Sequence, residues 1–288
     1  MKIFITTDSS CDLSQEQIKQ NNIKVLPIYV NMNGEEYKDG VNVTPNDIFA
    51  YVKQTKKLPK TSALSIADFT NFFNTILSNE KDAKIIHISL SSKISSCCEH
   101  ATIASAEFGD KVSVIDGKNL STGTGLLVLY AARLASRGED YLEIVNKVKS
   151  RVPFVQSSFI IQEVDYLYKG GRCSALSLLG ANLLKIKPKI SVVDGAMKPT
   201  GRPRGKMTAV LKDYVDGTLS EFNNPDKSIC FVTHSNIEPE IAEEVREYVL
   251  SKNIFDEVVI TTAGATITCH CGKGTLGILY INDGGVNA

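Results

Sequence analysis

Short apolar runs rich in Ile and Val alternate with helical patterns through the first half of the chain. No other feature constrains the fold as strongly. KIFITT (2–7), IKVLPIYV (23–30), KIIHISL (84–90) and KVSVID (111–116) read as strands. The helices between or after them have legible starts. Ser14 lies three residues before Gln17, a capping-box spacing; Thr44 precedes Pro45, with Asp47 in the first turn. Ser65 precedes ADFTNFFNTIL, with Asp68 three residues on, and a long helix after Leu120 carries LLVLYAARLA to a stop at Gly138. Strands separated by helices predict a parallel sheet covered on both faces. Such sheets bind ligands beyond the carboxyl ends of their strands.

From about Pro153 the pattern changes, so two domains are expected, 1–153 and 154–288, the second α/β with a mixed sheet. Its elements are a strand over 157–163, a helix in SLLGANLL (177–184), and a hairpin at Asp194-Gly195. A helix over 206–222, the strand SICFVTH, the helix EPEIAEEVREYVL and the strand EVVITT follow. The chain closes with TITCHCGKGTLGILYI.

Composition removes several functions. Thirty-two basic residues balance thirty-two acidic ones, so phosphate neutralisation gives no support to nucleic-acid binding. Apolar stretches stop well short of the ~20 residues of a membrane span, and the apolar part of MKIFITTDSS is too short for a secretory signal. No stable membrane insertion is expected. Seven cysteines without such a signal predict a reducing cytoplasm and free thiols.

The stretch ISLSSKISSCCEHA (88–101) is the most chemically loaded. Its serines fall where a strand hands over to a helix, and Ser96 with Glu99 fits a capping box. Ser95 then lies beside a first turn whose unpaired amides favour an anion, although serines at such a turn commonly serve only as caps. A nucleophile is less well supported, because no G-x-S-x-G elbow is present. A metal would draw on Cys97, Cys98, His100, Cys269, His270 and Cys271. Adjacent cysteines lack zinc spacing, however, and an extended TITCHCG would send His270 to the face opposite Cys269 and Cys271. No metal is expected.

TDSSCDL (7–13) and PKTSALS (59–65) are further hydroxyl-rich turns, and the three together predict one polar patch at a sheet edge. GKGTLG (272–277) matches G-x-G-x-x-G without a helix to open, so its glycines are expected to serve close backbone approach. GRPRGK (201–206) lacks the spacing and Ser/Thr of a phosphate loop.

Taken in order over the whole chain, these segments resemble the DegV family, the fatty-acid-binding subunits of bacterial fatty acid kinase. TDSSCDL, KTSALS, ISLSSKISS, VIDGKNLSTGTGLLV, LYKGGRCS, LLKIKPKI, VDGAMKP with PRGK, and HCGKGTLG carry the likeness. The resemblance implies a three-layer α/β/α N-terminal domain, a second α/β domain, and a long-chain, palmitate-like fatty acid in a tunnel between them. It places the carboxylate on Thr61, Ser62 and Ser95, with His270 and Arg172 at the head-group end. It implies no cofactor and no catalysis by this chain, which would present the acid to a separate ATP-dependent kinase. Arg202, Arg204 and Lys206, with Lys185, Lys187 and Lys189, are the docking residues this picture offers.

Departures lie near the head group: Ala63-Leu64 replaces Gln-Pro and Ser96-Cys97 replaces Gly-Thr, so oxidation-sensitive thiols are a further expectation if Cys97 or Cys271 is exposed and acidic. Two other function classes compete with the carrier. A serine hydrolase would cleave acyl esters in the same pocket, and a cysteine metal or redox protein would carry stoichiometric metal.

Overall fold

The computed structural model describes residues 1–80, 82–176 and 186–285. The first half forms β1 (Lys2–Asp8), α1 (Gln15–Gln20), β2 (Lys24–Leu26), β3 (Tyr29–Met32), β4 (Glu35–Lys38), α2 (Pro45–Thr55) and β5 (Lys60–Ser62). It continues with α3 (Ile66–Asn79), β6 (Ala83–Ser89), α4 (Cys97–Ser105), β7 (Val112–Asp116), α5 (Thr122–Ser136) and α6 (Tyr141–Arg151). Strands β2, β1, β6 and β7 pair side by side, all parallel. One sheet face takes Phe69, Phe73 and Ala101 of α3 and α4; the other takes Leu127, Ile144 and Val148 of α5 and α6. This is the expected three-layer α/β/α arrangement. Ser14 and Ser65 close capping boxes on α1 and α3, and Asp47 accepts from the Thr44 amide at 2.8 Å.

One expected strand is two. IKVLPIYV divides at Pro27, which cannot donate to a ladder. Its first part, β2, joins the parallel sheet; its second, β3, enters a small antiparallel sheet of order β4-β3-β5. Asn33 and Gly34, a hairpin signal absent from the expectation above, join β3 to β4.

The second half contains β8 (Val155–Ile160), α7 (Val164–Lys169), β9 (Lys189–Val193), β10 (Ala196–Gly201), α8 (Met207–Glu221) and β11 (Cys230–Ser235). Then come α9 (Pro239–Leu250), β12 (Val258–Thr262), α10 (Ala265–Cys271) and β13 (Thr275–Ile281). The sheet order is β10-β9-β8-β13-β11-β12; only β11 and β12 run parallel, so the sheet is mixed. Asp194 and Gly195, with φ of 52° and 83°, make the expected hairpin turn. The anticipated helix at 177–184 and Lys185 lie outside the described residues. TITCHCG is not extended: it forms most of α10.

Helix α5 is apolar nearly all round because it packs between the two sheets. Ile5 and Ile86 of one sheet and Phe231, Leu279 and Ile281 of the other share a single apolar cluster with it. At the end of α6, Arg151 is 1% exposed. Its guanidinium donates to Asp226 at 2.6 Å and to Asp283 at 2.7 and 2.8 Å, and lies 4.5 Å from the centre of the Tyr130 ring. A buried ion pair adds little net stability over apolar packing, but removing one member leaves the others' charge uncompensated. Arg151→Met is therefore expected to lower unfolding stability by about 3–5 kcal/mol, read as a lower urea midpoint.

Candidate functional site

Helix α10 organises the site, and its own sequence does not predict it. Thr266, Ile267 and Thr268 are β-branched and favour a strand. Two buried carboxylates from the first half override that preference by accepting from the amides that a helix start leaves unpaired. Asp12 accepts from the Gly264 amide at 2.8 Å; Asp39 accepts from Ala265 at 2.8 Å and Thr266 at 3.1 Å. In a helix, residues three and four apart share a face. Thr266, Ile267, His270 and Cys271 accordingly line one cavity, while Ala265 and Cys269 turn to a separate cluster with Val30 and Ile48.

That cavity lies past the carboxyl end of β6 and is bounded on the other side by β8, α7 and α10. Ile28, Leu90, Leu120, Phe159, Leu167 and Ile267 make it mainly apolar. Its polar residues include Thr61, Ser62, Ser95, Arg172 and His270, which the fold therefore brings to one cavity. Thr61 and Ser62 come from β5, paired to β3, where Asn31 donates to the Ser62 hydroxyl at 2.7 Å. Thr61 Oγ1 and His270 Nε2 are hydrogen-bonded at 2.8 Å. Thr266, absent from the expectation, adds a buried hydroxyl without a partner among the described residues.

Burial, then repulsion from Arg172, lowers the His270 pKa to about 4, so the ring is neutral at pH 7. Gly170 lies so close that a Cβ there would come within 2.7 Å of His270 Nδ1. The chain then turns at Gly171 (φ 72°), and the Arg172 guanidinium donates back to the Gly170 carbonyl at 2.7 Å. Arg172 is exposed and lines both the cavity and an outer vestibule with Ser92, Lys93, Ser95 and Glu99.

Several expectations need correction. Ser95, not Ser96, engages the start of α4, accepting from the Cys97 amide at 3.3 Å and donating to Cys97 Sγ at 3.2 Å. Ser96 already has helical backbone (φ −72°, ψ −2°), whereas a capping side chain needs an extended one, and it makes no cap bond. TDSSCDL does not join the polar patch. Its Ser10 hydroxyl is bonded to Asp8, and its Ser9 hydroxyl donates to Asp39 at 3.0 Å. The turn thus serves the buried carboxylates. Burial raises the Asp8 pKa and pushes Asp12 up to about 8.

The thiols are not poised for oxidation: all seven are buried, and burial raises Cys97 to about 11 and Cys98 and Cys271 to about 12. Arg202, Arg204 and Lys206 lie exposed between β10 and α8, away from the cavity lining, while Lys189 pairs with Glu221 at 3.2 Å. Ser91, buried and not anticipated, donates to the Gly195 carbonyl at 2.7 Å and so fastens the β9–β10 hairpin to the serine turn.

Comparison with known proteins covers the same span. A family model described as "Uncharacterised protein, DegV family" matches residues 2–283. A DegV domain-containing protein of Caldanaerobacter subterraneus is 31% identical over 283 residues, 97% of this chain and 98% of that one. A Thermus thermophilus DegV family structure, described by its fatty acid binding, superposes with a TM-score of 0.91 at 26% identity, covering 98% of this chain and 100% of the other. Bacillus subtilis DegV, described as a fatty acid binding protein, gives 0.85 at 25% identity, with 98% and 100% covered.

The burial and charge around His270 are directly measurable. Its ring should titrate near pH 4 by NMR, and Arg172→Gln should raise that midpoint by removing the repelling guanidinium. An ordinary midpoint near ~6.5 would contradict this geometry.

Proposed function

The chain belongs to the DegV family, and on that premise we propose that it binds a long-chain, palmitate-like fatty acid between a lobe spanning 1–153 and one spanning 154–288. The supporting observation is the cavity: an apolar enclosure whose hydroxyls, imidazole and guanidinium gather where β5, α4, α10 and Arg172 meet. A carboxylate leaving water needs charge-assisted donors. Thr61, Ser62 and Ser95 supply hydroxyls, the first-turn amides of α4 lie behind Ser95, and Arg172 supplies positive charge from the rim. Neutral His270 orders the Thr61 hydroxyl. The tail gains ~0.8 kcal/mol for each CH2 removed from water, so an apolar enclosure supplies most of the affinity.

In this reading the chain is a carrier with no catalysis and no cofactor of its own. A separate ATP-dependent fatty acid kinase transfers the γ-phosphoryl group to the presented carboxylate, giving acyl phosphate and ADP. Seven free thiols fit a reducing cytoplasm, and no helix among the described residues is long and apolar enough to cross a membrane. The hydrolase alternative has less support. Thr61 and His270 stand at a nucleophile–base distance, but among the described residues no group hydrogen-bonds His270 Nδ1 to orient it. Ser95 is bonded to Cys97 instead.

Denaturing the purified protein should release a stoichiometric long-chain fatty acid detectable by mass spectrometry. Ser95→Ala and Arg172→Ala should each weaken binding of added palmitate by about 10- to 100-fold, the loss of a hydrogen bond to a charged group. Unchanged dissociation constants in both variants would reject the head-group assignment. Ester cleavage by the pure protein, abolished in Ser95→Ala, would favour the hydrolase. Separately, Arg202→Glu with Arg204→Glu should slow acyl-phosphate formation with a kinase while leaving palmitate affinity unchanged; unaltered turnover would remove these residues from docking.

A further inference from the structure

Beyond the head group, the cavity abuts a second, smaller space, and Leu120, Phe159, Ile267 and Cys271 line both. Its floor is the face of the mixed sheet toward α5. Strand alternation puts Ser157 and Phe159 of β8, Gly277 and Leu279 of β13, and Thr233 of β11 on that face. Leu279 stands directly opposite Ser157, and Gly277 directly opposite Thr233. Gly277 lets β8 approach closely: a Cβ there would lie 2.3 Å from the Ser158 carbonyl oxygen and 2.9 Å from Phe159 Cβ.

Ser157 is 3% exposed and its hydroxyl has no hydrogen-bond partner among the described residues, an arrangement that destabilises a fold unless something satisfies it. The neighbouring hydroxyls are already engaged: Ser121 with Asp12, Thr233 with Thr122 and Thr261, and Thr275 with the Cys271 carbonyl. His234, which lines the same space, has a buried Nδ1 that is likewise unpartnered among the described residues. An oxygen tethered to an acyl chain satisfies the Ser157 hydroxyl with a single bond.

Resting on the fatty-acid reading above, we propose that Ser157 is a specificity-determining residue, and that the inner cavity selects a long-chain fatty acid carrying a hydroxyl or keto oxygen along its chain. The apolar wall holds the methylenes, and the Ser157 hydroxyl recognises the single oxygen by hydrogen bonding.

The test uses delipidated full-length protein, octadecanoic acid, and the set of its monohydroxy isomers with the hydroxyl at successive positions. Wild type should bind one isomer, or two adjacent ones, about three- to tenfold more tightly than octadecanoic acid, the range of one neutral hydrogen bond. Ser157→Ala, checked for an unchanged melting temperature, should abolish that preference while binding octadecanoic acid at least as tightly as wild type. Because the wild-type preference needs no variant, a misfolded Ser157→Ala would not rescue or sink the idea. Binding of octadecanoic acid with no preferred isomer overturns the Ser157 proposal and leaves the fatty-acid reading standing, as does a preference that survives Ser157→Ala. Failure of every acid to bind overturns both.

Discussion

The site depends on two carboxylates from the first half capping a seven-residue helix from the second. An isolated helix of that length does not hold in water, since nucleation costs more than a few bonds return. Asp39 accepts two successive amides and Asp12 the one before them. Burying acidic groups is itself costly, and the upward displacement of Asp12 to about 8 records the strain on ionisation. The surroundings meet that cost locally. Ser9 donates to Asp39, Ser121 donates to Asp12 at 2.5 Å, and Ser10 with the Leu90 amide holds Asp8. One consequence reaches the cavity: the capped helix directs Thr266, Ile267, His270 and Cys271 inward together.

That arrangement explains where the sequence was legible and where it was not. Ser14 with Gln17 and Ser65 with Asp68 specify their helix starts through contacts within three residues, and these were readable. The hairpin at Asp194-Gly195 is equally local. Helix α10 is not, because its acceptors lie more than two hundred residues away. Local propensity favoured a strand, and tertiary capping prevailed. Ser95 and Ser96 illustrate a finer limit: both offer a hydroxyl at the start of α4, and only the backbone angle at Ser96 decides between them. Placing Thr61, Ser62, Ser95, Arg172 and His270 together came from whole-chain resemblance. Periodicity could not supply it, since Leu90, Leu120 and Phe159 look the same whether they fill a core or line a cavity.

The electrostatics of the mouth favour holding a ligand over cutting one. A general base works best with a pKa near the operating pH and a partner that fixes its tautomer. His270 has neither, being displaced to about 4 with an unpartnered Nδ1. The buried thiols at Cys97 and Cys271 are displaced upward, away from nucleophilic use. Arg172 differs in being exposed and, among the described residues, held by its hydrogen bond to the Gly170 carbonyl. An anion reaching the rim therefore meets a cation that needs little desolvation, and then hydroxyls that can turn toward it. The neutral imidazole lets Thr61 rotate its hydroxyl without placing a second positive charge in a low-dielectric enclosure, where it would repel Arg172.

Polar groups in the cavity consequently follow a gradient that apolar packing alone does not require. Charge is confined to the rim, where solvent shares the cost of holding it. Bonded hydroxyls come next, at Thr61 and Ser62, followed by walls of Leu120, Phe159 and Ile267. Ser157 breaks the sequence at the inner end, and a methyl group there would fit the same backbone without stranding a hydroxyl. Its position on β8 holds that hydroxyl in place at the edge of the inner space. In the proposed reading, the rim fixes the charged end of the acid and the sheet floor reads what lies along its tail.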